Sequence, residues 1–542
     1  MLSPFVIRLS KCESSPLQGS VFRGFFFSSI GTALGYTILV TLASWLMTTL
    51  TDSALIIALV HSASTAPTLL VGLIAGTMAD IVERRSMIKC TQVALTVSAI
   101  VLAITVWLGA IGPASLLLLT FVVGTGFAFY LPTQQSAITD LVAPKELPNA
   151  VALASVAMNL ARVVGPALAG AIAVILNPSW GLAICAALFV PMFFALPAST
   201  GDEAVSISVR ERILSGAFTG LRYARYSNVL RALIARALGF GFCASVFWAL
   251  LPLIARDHLG YGAGGFGLLS ACFGVGAIVG ATAMPYHLRQ LSMNRIVTYG
   301  ALLFALACVI IALTKEPTLA FFGTAAAGMA WVSVFSTLSA GMQSNAPRWV
   351  RARAVAIFLV VVQGSMALGS LLWGTVADSF GTAIALASAA GTLAFSQLVY
   401  RSTRVEMGDE SKIEYRHQLL DINIVSEPSA DDGPVLVQVR YQVEEKNRVE
   451  FLEAIRELGQ ARRRNGAKSW TLFRDLGHEI VFVESFLIRS WSEFIRLRSR
   501  ITVVDRTLQQ HVSDMQRENV PIQVSRLIAV KVPMSDERLD PL

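Results

Sequence analysis

The chain has 542 residues, 54% of them hydrophobic and only 14% charged, with a net charge of +8. So much apolar content and so little charge exclude an ordinary soluble protein and point to a chain that spans a bilayer. The surplus positive charge sits in loops between apolar runs, so it reflects membrane topology and gives no argument for a nucleic-acid partner.

A helix needs roughly 20 apolar residues to cross a bilayer. Runs of about that size cover residues 25–50, 54–78, 88–108, 114–131, 151–176 and 181–196. They recur at 230–254, 264–285, 296–313, 319–342, 354–376 and 382–400. Backbone amides in lipid must be satisfied within their own segment, so each run is expected to be a helix. Six lie on either side of a polar central loop at 199–228, whose later part reads as a surface helix with a basic and an apolar face. Alternate loops carry the basic residues: Arg84, Arg85 and Lys89; Lys145; Arg210, Arg212, Arg222 and Arg225; Arg289 and Arg295; Arg348, Arg351 and Arg353. The intervening loops hold little beyond Arg256 and Lys315, each beside an acid. Basic loops stay in the cytoplasm, which places both termini there. Residues 1–23 lack the apolar core of a cleavable signal segment.

The first basic loop reads Gly76-Thr-Met-Ala-Asp80-Ile-Val-Glu-Arg84-Arg85. One reading is a plain positive-inside loop with Asp80 at a helix end. The string also resembles the loop signature of the major facilitator superfamily, with Met78, Ile81 and Glu83 as departures. That resemblance implies close helix packing at Gly76 and a cytoplasmic latch. Asp80 would pair with Arg84, with Arg85, or with the positive N-terminus of the eleventh span. In the second half, residues 280–289 keep a glycine and an arginine but place Met284 where the acid would stand, so an asymmetric latch is expected.

The fifth run contains Asn159-Leu-Ala-Arg162-Val-Val-Gly165-Pro166-Ala-Leu-Ala-Gly170. Arg162 falls near the bilayer midplane, where a charge costs about 2.5–3.5 kcal/mol even on the lenient insertion scale, so it should face a cavity or a partner. It is either a ligand for substrate or a structural arginine bonded to carbonyls freed by Pro166. Asn159 at i−3 can share its face. The string is similar to the fifth-helix motif of superfamily exporters, and residues 21–401 resemble the branch of the enterobactin exporter and the transmembrane secretion effectors. The resemblance implies two six-helix halves about a midplane cavity. It also implies export of a siderophore-like or drug-like small molecule across the bacterial inner membrane by alternating access, with proton antiport. The fourth run lacks the arginine that drug/proton antiporters often carry, and the acids lie at span ends, so no proton-carrying carboxylate is nominated.

Tyr36, Trp45, Phe242, Trp248 and Gln363 are candidates for the cavity wall, which would suit an amphipathic substrate. The alternative is that they are ordinary membrane-helix aromatics. His61 is open to a packing or a proton-relay role. The six cysteines are scattered without metal-ligand spacing, so no metal and no cofactor is expected.

After residue 400 the composition turns polar. Residues 401–433 read as a linker, followed by a strand at 435–443, a helix at 445–465, strands at 469–474 and 480–488, a helix at 492–518 and a strand at 522–530. That βαββαβ order is the ferredoxin-like arrangement. The run around Trp470, Phe482, Phe486, Trp491 and Phe494 resembles antibiotic biosynthesis monooxygenase domains, which implies pairing through the sheet and hence a homodimer. A membrane-tethered monooxygenase, cofactor-free or heme-type, or a sensor, is the alternative function. The expected fold class is therefore an all-α polytopic membrane protein of about 12 transmembrane helices in a 6+6 pseudo-repeat, with a C-terminal α+β ferredoxin-like domain. The expected divisions are 1–198, 199–228, 229–400, 401–433 and 434–542.

Overall fold

The computed structural model describes residues 16–81, 83–143, 146–195, 213–403, 405, 408, 428–429, 432–499, 501–517 and 520–530. The side chains of some helical residues, Gly76, Asp80 and Asn159 among them, lie outside what is described, as does most of the expected linker. The described residues fall into two compact units.

The first unit holds most of an array of apolar helices. These are α1 (Ser20–Leu50), α2 (Ala54–Ile81), α3 (Arg84–Trp107), α4 (Pro113–Leu141), α5 (Leu147–Ile175) and α6 (Pro178–Phe194). After α7 (Ile213–Tyr226) come α8 (Asn228–Leu253), α9 (Ala263–Gln290), α10 (Met293–Leu313), α11 (Pro317–Asn345), α12 (Arg348–Phe380) and α13 (Thr382–Val399). Among the described residues, ten helices are long and apolar enough to cross a membrane; the later part of α5, Leu160–Ile175, and α6 are shorter apolar helices. Polar residues are accommodated by bonding back along the helix. Ser29 donates to the Phe25 carbonyl at 2.8 Å, Thr41 to that of Thr37 at 2.7 Å and Ser44 to that of Val40 at 2.8 Å. Proline opens α4 and α6, where its missing amide costs nothing.

Small residues bring the helices together. A Cβ at Gly165 would overlap Thr37, so α5 lies close on α1. Gly170 of α5 and Gly267 of α9 face each other so closely that neither has room for a side chain. Gly280, the glycine expected to allow close packing in the second half, leaves only 2.7 Å between an added Cβ and the Met329 carbonyl of α11. Met284, standing where an acid would be, is buried beside the Thr337 hydroxyl.

The second unit comprises Leu214–Arg231, Gly341–Ala354 and Met407–Leu542. Its sheet runs in the order β2 (Ser469–Arg474), β3 (Val481–Ile488), β1 (Val435–Gln442), β4 (Gln523–Ile528), with every pairing antiparallel. Helix α14 (Arg448–Asn465) follows β1, and α15 (Trp491–Ser499) and α16 (Val503–Asp514) follow β3. The alternation within β1 puts Val435, Val437, Val439 and Tyr441 into a core with Phe451, Ile455 and Leu458 of α14 and with Phe482 and Phe486. The single helix expected at 492–518 is two. Thr502 accepts from the Asp505 amide at 3.2 Å, and its own amide donates to the Asp505 carboxylate at 3.2 Å, a capping box that starts a new helix. Within this unit α7 packs against the sheet domain. Arg222 meets Glu493 at 3.3 Å, and the Tyr223 ring lies beneath Arg464 and edge-on to Trp349.

Candidate functional site

Arg162 is the central feature of the first unit. Its side chain is exposed on a helix of an otherwise apolar array. Tyr36 of α1 lies within its electrostatic reach, so the guanidinium has α1 of the helix array as a neighbour. Pro166 supplies no amide to the Arg162 carbonyl, so the helix ladder is interrupted at this turn. The Thr37 hydroxyl donates to the neighbouring Ala161 carbonyl at 3.1 Å and pins α1 to this turn of α5. Gly165 is what lets Thr37 reach it.

Tyr36 lies within electrostatic reach of Arg162. Its hydroxyl donates to the Ser64 carbonyl of α2 at 3.3 Å, and its ring stacks on Phe127 of α4 at 3.7 Å and 4°. Tyr130 continues the aromatic group at 5.8 Å from Phe127. Four helices of the first half therefore meet around Tyr36 and Arg162. The other candidates are dispersed. Trp45 stacks on Phe266 of α9, and Phe242 packs against Trp373, whose indole donates to the Phe242 carbonyl at 2.8 Å. Trp248 sits among Phe247, Phe273 and Trp331. Gln363 is half-buried on α12. His61 on α2 has a buried Nε2 that finds no hydrogen-bond partner among the described residues.

At the end of α2 the Asp80 side chain is outside the described set, and the partner seen for Arg84 is Asp140 of α4. Asp140 has no counterpart in the expected latch. At the opposite end of the array the two halves are tied together. Asp378, in the last turn of α12, accepts from the Ser53 hydroxyl at 2.9 Å and from the Leu55 amide at 3.4 Å, thereby capping α2 from another helix. Arg256 reaches Asp52 at 3.4 Å and donates to the Thr48 carbonyl near the C-terminus of α1. The sequence places Asp52 and Asp378 at span ends, Asp52 with a capping or solvated role; the cross-helix pairing was not legible.

Sequence reasoning also missed Arg236. It is buried, and its guanidinium donates to the Tyr400 carbonyl at 2.9 Å and the Thr403 carbonyl at 2.7 Å, where α13 ends. In the second unit Trp470 belongs to a closed cluster. Glu484 is fully buried and accepts from Trp470 Nε1 at 2.9 Å, from Tyr441 at 3.1 Å and from Arg462 at 3.4 Å. Burial, and then the adjacent carboxylate, push the Tyr441 phenol well above its usual value, so the hydroxyl keeps its proton and donates. A carboxylate whose lone pairs are engaged by three donors serves as a core hydrogen-bond hub.

The family described as transmembrane secretion effector matches residues 11–534 of the chain. The chain is 27% identical to the multidrug efflux pump Tap of Mycolicibacterium fortuitum over 371 residues, covering 66% of this chain and 88% of that protein. It is 24% identical to the staphyloferrin A transporter of Staphylococcus aureus over 363 residues, covering 66% of this chain and 89% of that one. The crystal structure of a bacterial homolog to the human lysosomal transporter Spinster, inward-facing and unoccupied, matches with a TM-score of 0.56 at 16% identity, over 71% of this chain and 95% of that one. The nucleoside transporter NupG matches with a TM-score of 0.53 at 16% identity, over 71% of this chain and all of that one (100%). At such identity the structural likeness establishes a polytopic transporter fold alone.

Proposed function

The chain belongs to the transmembrane secretion effector family, and from that premise we propose that it exports a siderophore-like or drug-like amphipathic molecule by alternating access. It is a membrane transporter, not an enzyme. In this reading twelve spans in two six-helix halves cross the bacterial inner membrane with both termini in the cytoplasm, and export runs as proton antiport. The observation that carries the reading is Arg162, an exposed charge within an apolar helix and within electrostatic reach of Tyr36 in the Tyr36–Phe127 stack. A guanidinium beside stacked aromatic faces suits a ligand with an acidic or hydroxyl group on an apolar body. The names of the two relatives, one a drug efflux pump and one a siderophore transporter, are in keeping with that chemistry.

Gating follows from the ends of α2 and α12. In this reading the Asp378 and Arg256 contacts belong to the outer gate, and Asp80, with Arg84 and Arg85 beside it in sequence, acts as the inner latch when the protein turns outward. Asn159 and Pro166 shape the Arg162 turn. The second unit is an accessory ferredoxin-like domain: the strand order 2-3-1-4 with antiparallel pairing supports that assignment. Its open sheet face carries Leu436, Leu487 and Leu527 in one row and Phe473 with Val483 in another, which supports self-association through the sheet.

The test uses a deletion strain whose accumulated metabolites are identified by mass spectrometry, followed by transport of that solute in everted vesicles. Arg162→Ala should abolish efflux, and a protonophore should collapse it. A chain cut after Val405, which keeps the carbonyls that Arg236 holds, should retain efflux. Full efflux by Arg162→Ala, together with none from the shortened chain, would overturn the reading.

A further inference from the structure

A cavity of about 460 Å³ in the second unit is lined by Arg225, Tyr226, Asn228, Arg231, Gln460 and Arg463. None of these residues is acidic, and three are arginines. Arg463 is held in place: it donates to the Trp470 carbonyl at 2.9 Å, and its guanidinium lies 5.6 Å from the Trp470 ring. The Arg225 and Arg231 side chains make no hydrogen bond or ion pair among the described residues, and both are exposed. Their charges are therefore gathered in one concave site without a counter-ion among the described residues. Asn228 and Arg231 belong to the first turn of α8, where the Ser227 hydroxyl already accepts from the Leu230 amide, so the positive dipole end of a 26-residue helix adds to the field. Tyr226, Asn228 and Gln460 add neutral polar groups around the rim.

We propose that this cavity binds a phosphate group. Arginine forks match phosphate oxygens in pairs, and a helix start supplies amides to the same kind of group. The site also lies at a telling depth along the chain: the apolar stretch of α8 begins at Asn228, so Arg231 stands one turn into a helix long enough to cross a membrane. Lipid headgroup phosphates occupy that level, and an anionic phospholipid is one source of the group. A soluble phosphate compound is the other. The site draws on α7, α8 and α14 together, so filling it would brace the central-loop helix against the sheet domain. The proposal does not depend on Arg162 or on what the protein exports.

The experiment is native mass spectrometry of the full chain purified in detergent, titrated with phosphatidylglycerol, with phosphatidylcholine and with inorganic phosphate. The variants are Arg225→Gln/Arg231→Gln and, to keep the charge, Arg225→Lys/Arg231→Lys. Wild type should bind phosphatidylglycerol more tightly than phosphatidylcholine, and the glutamine pair should weaken it by about tenfold to thirtyfold, from the usual contribution of each cation near a charged headgroup. The lysine pair, which keeps the charge but not the fork, should recover part of the binding, which a merely misfolded variant would not. Competition by inorganic phosphate at millimolar concentration identifies a soluble source; its failure to compete identifies the headgroup. Equal binding of both lipids and no phosphate binding by wild type would overturn the proposal, as would glutamine variants that bind like wild type.

Discussion

At the residue scale, two positions carry consequences that charge or hydropathy would not suggest. Gly165 is needed for space, because any side chain there runs into Thr37 and pushes α1 away from α5. Overpacking of this kind costs about 1–3 kcal/mol. Gly165→Ala should therefore lower the melting temperature in detergent and reduce efflux. Arg236 is fixed by the two carbonyls it serves at the end of α13. Hydrogen bonds to a charged group contribute about 1.5–3 kcal/mol each. Arg236→Ala should destabilise the protein by several degrees, read by differential scanning fluorimetry, and Arg236→Lys should recover only part because a lysine lacks the planar fork. Arg162 was legible in the sequence as a costly charge in an apolar run. Its openness to solvent was not, since that depends on how four helices leave space around it.

At the element scale, α2 and α12 form an antiparallel pair with an acid toward the end of each. Gly374 packs on Ala58, the Ser62 hydroxyl donates to the Ala367 carbonyl at 2.9 Å, and Gly364 meets Leu69. Asp378 then caps the start of α2. A cap of this kind is worth about 1 kcal/mol, so removing it should shift the balance of conformations about fivefold. Asp378→Ala should speed maleimide labelling of a cysteine placed at Ala58, which is buried beneath this contact. Unchanged labelling would assign Asp378 a purely local role. The exposed Arg256–Asp52 pair should matter less, because Asp52 is 99% exposed and such pairs are worth about 0–1 kcal/mol. The helices themselves were read from apolar length, and β1 to β4 from their alternation. The break before α16 was missed because a capping box needs only Thr502 and Asp505, two residues inside a pattern that otherwise continues helical.

At the scale of the whole molecule, the chain joins an apolar helix array to a small sheet domain, and α7 is grouped with the domain in spite of the long separation in sequence. Arg222 and Glu493 meet across 271 residues. If the domain pairs copies of the chain through its open sheet face, Leu527→Glu at the edge strand should convert a dimer to a monomer in size-exclusion chromatography with light scattering. Efflux per chain should change less than twofold. A dimer that survives Leu527→Glu would move self-association away from the sheet.

The sequence by itself determined where most helices and strands form. Lipid demands long apolar segments that satisfy their own amides, and a half-buried strand demands alternation, and both demands are written in neighbouring residues. Only the tertiary structure decided which charges meet: Arg84 with Asp140, Asp378 with the start of α2, Arg236 with the end of α13, and three arginines around one cavity. Those partners lie tens to hundreds of residues apart, and an ion pair leaves no periodic trace along the chain. Geometry alone brings them together.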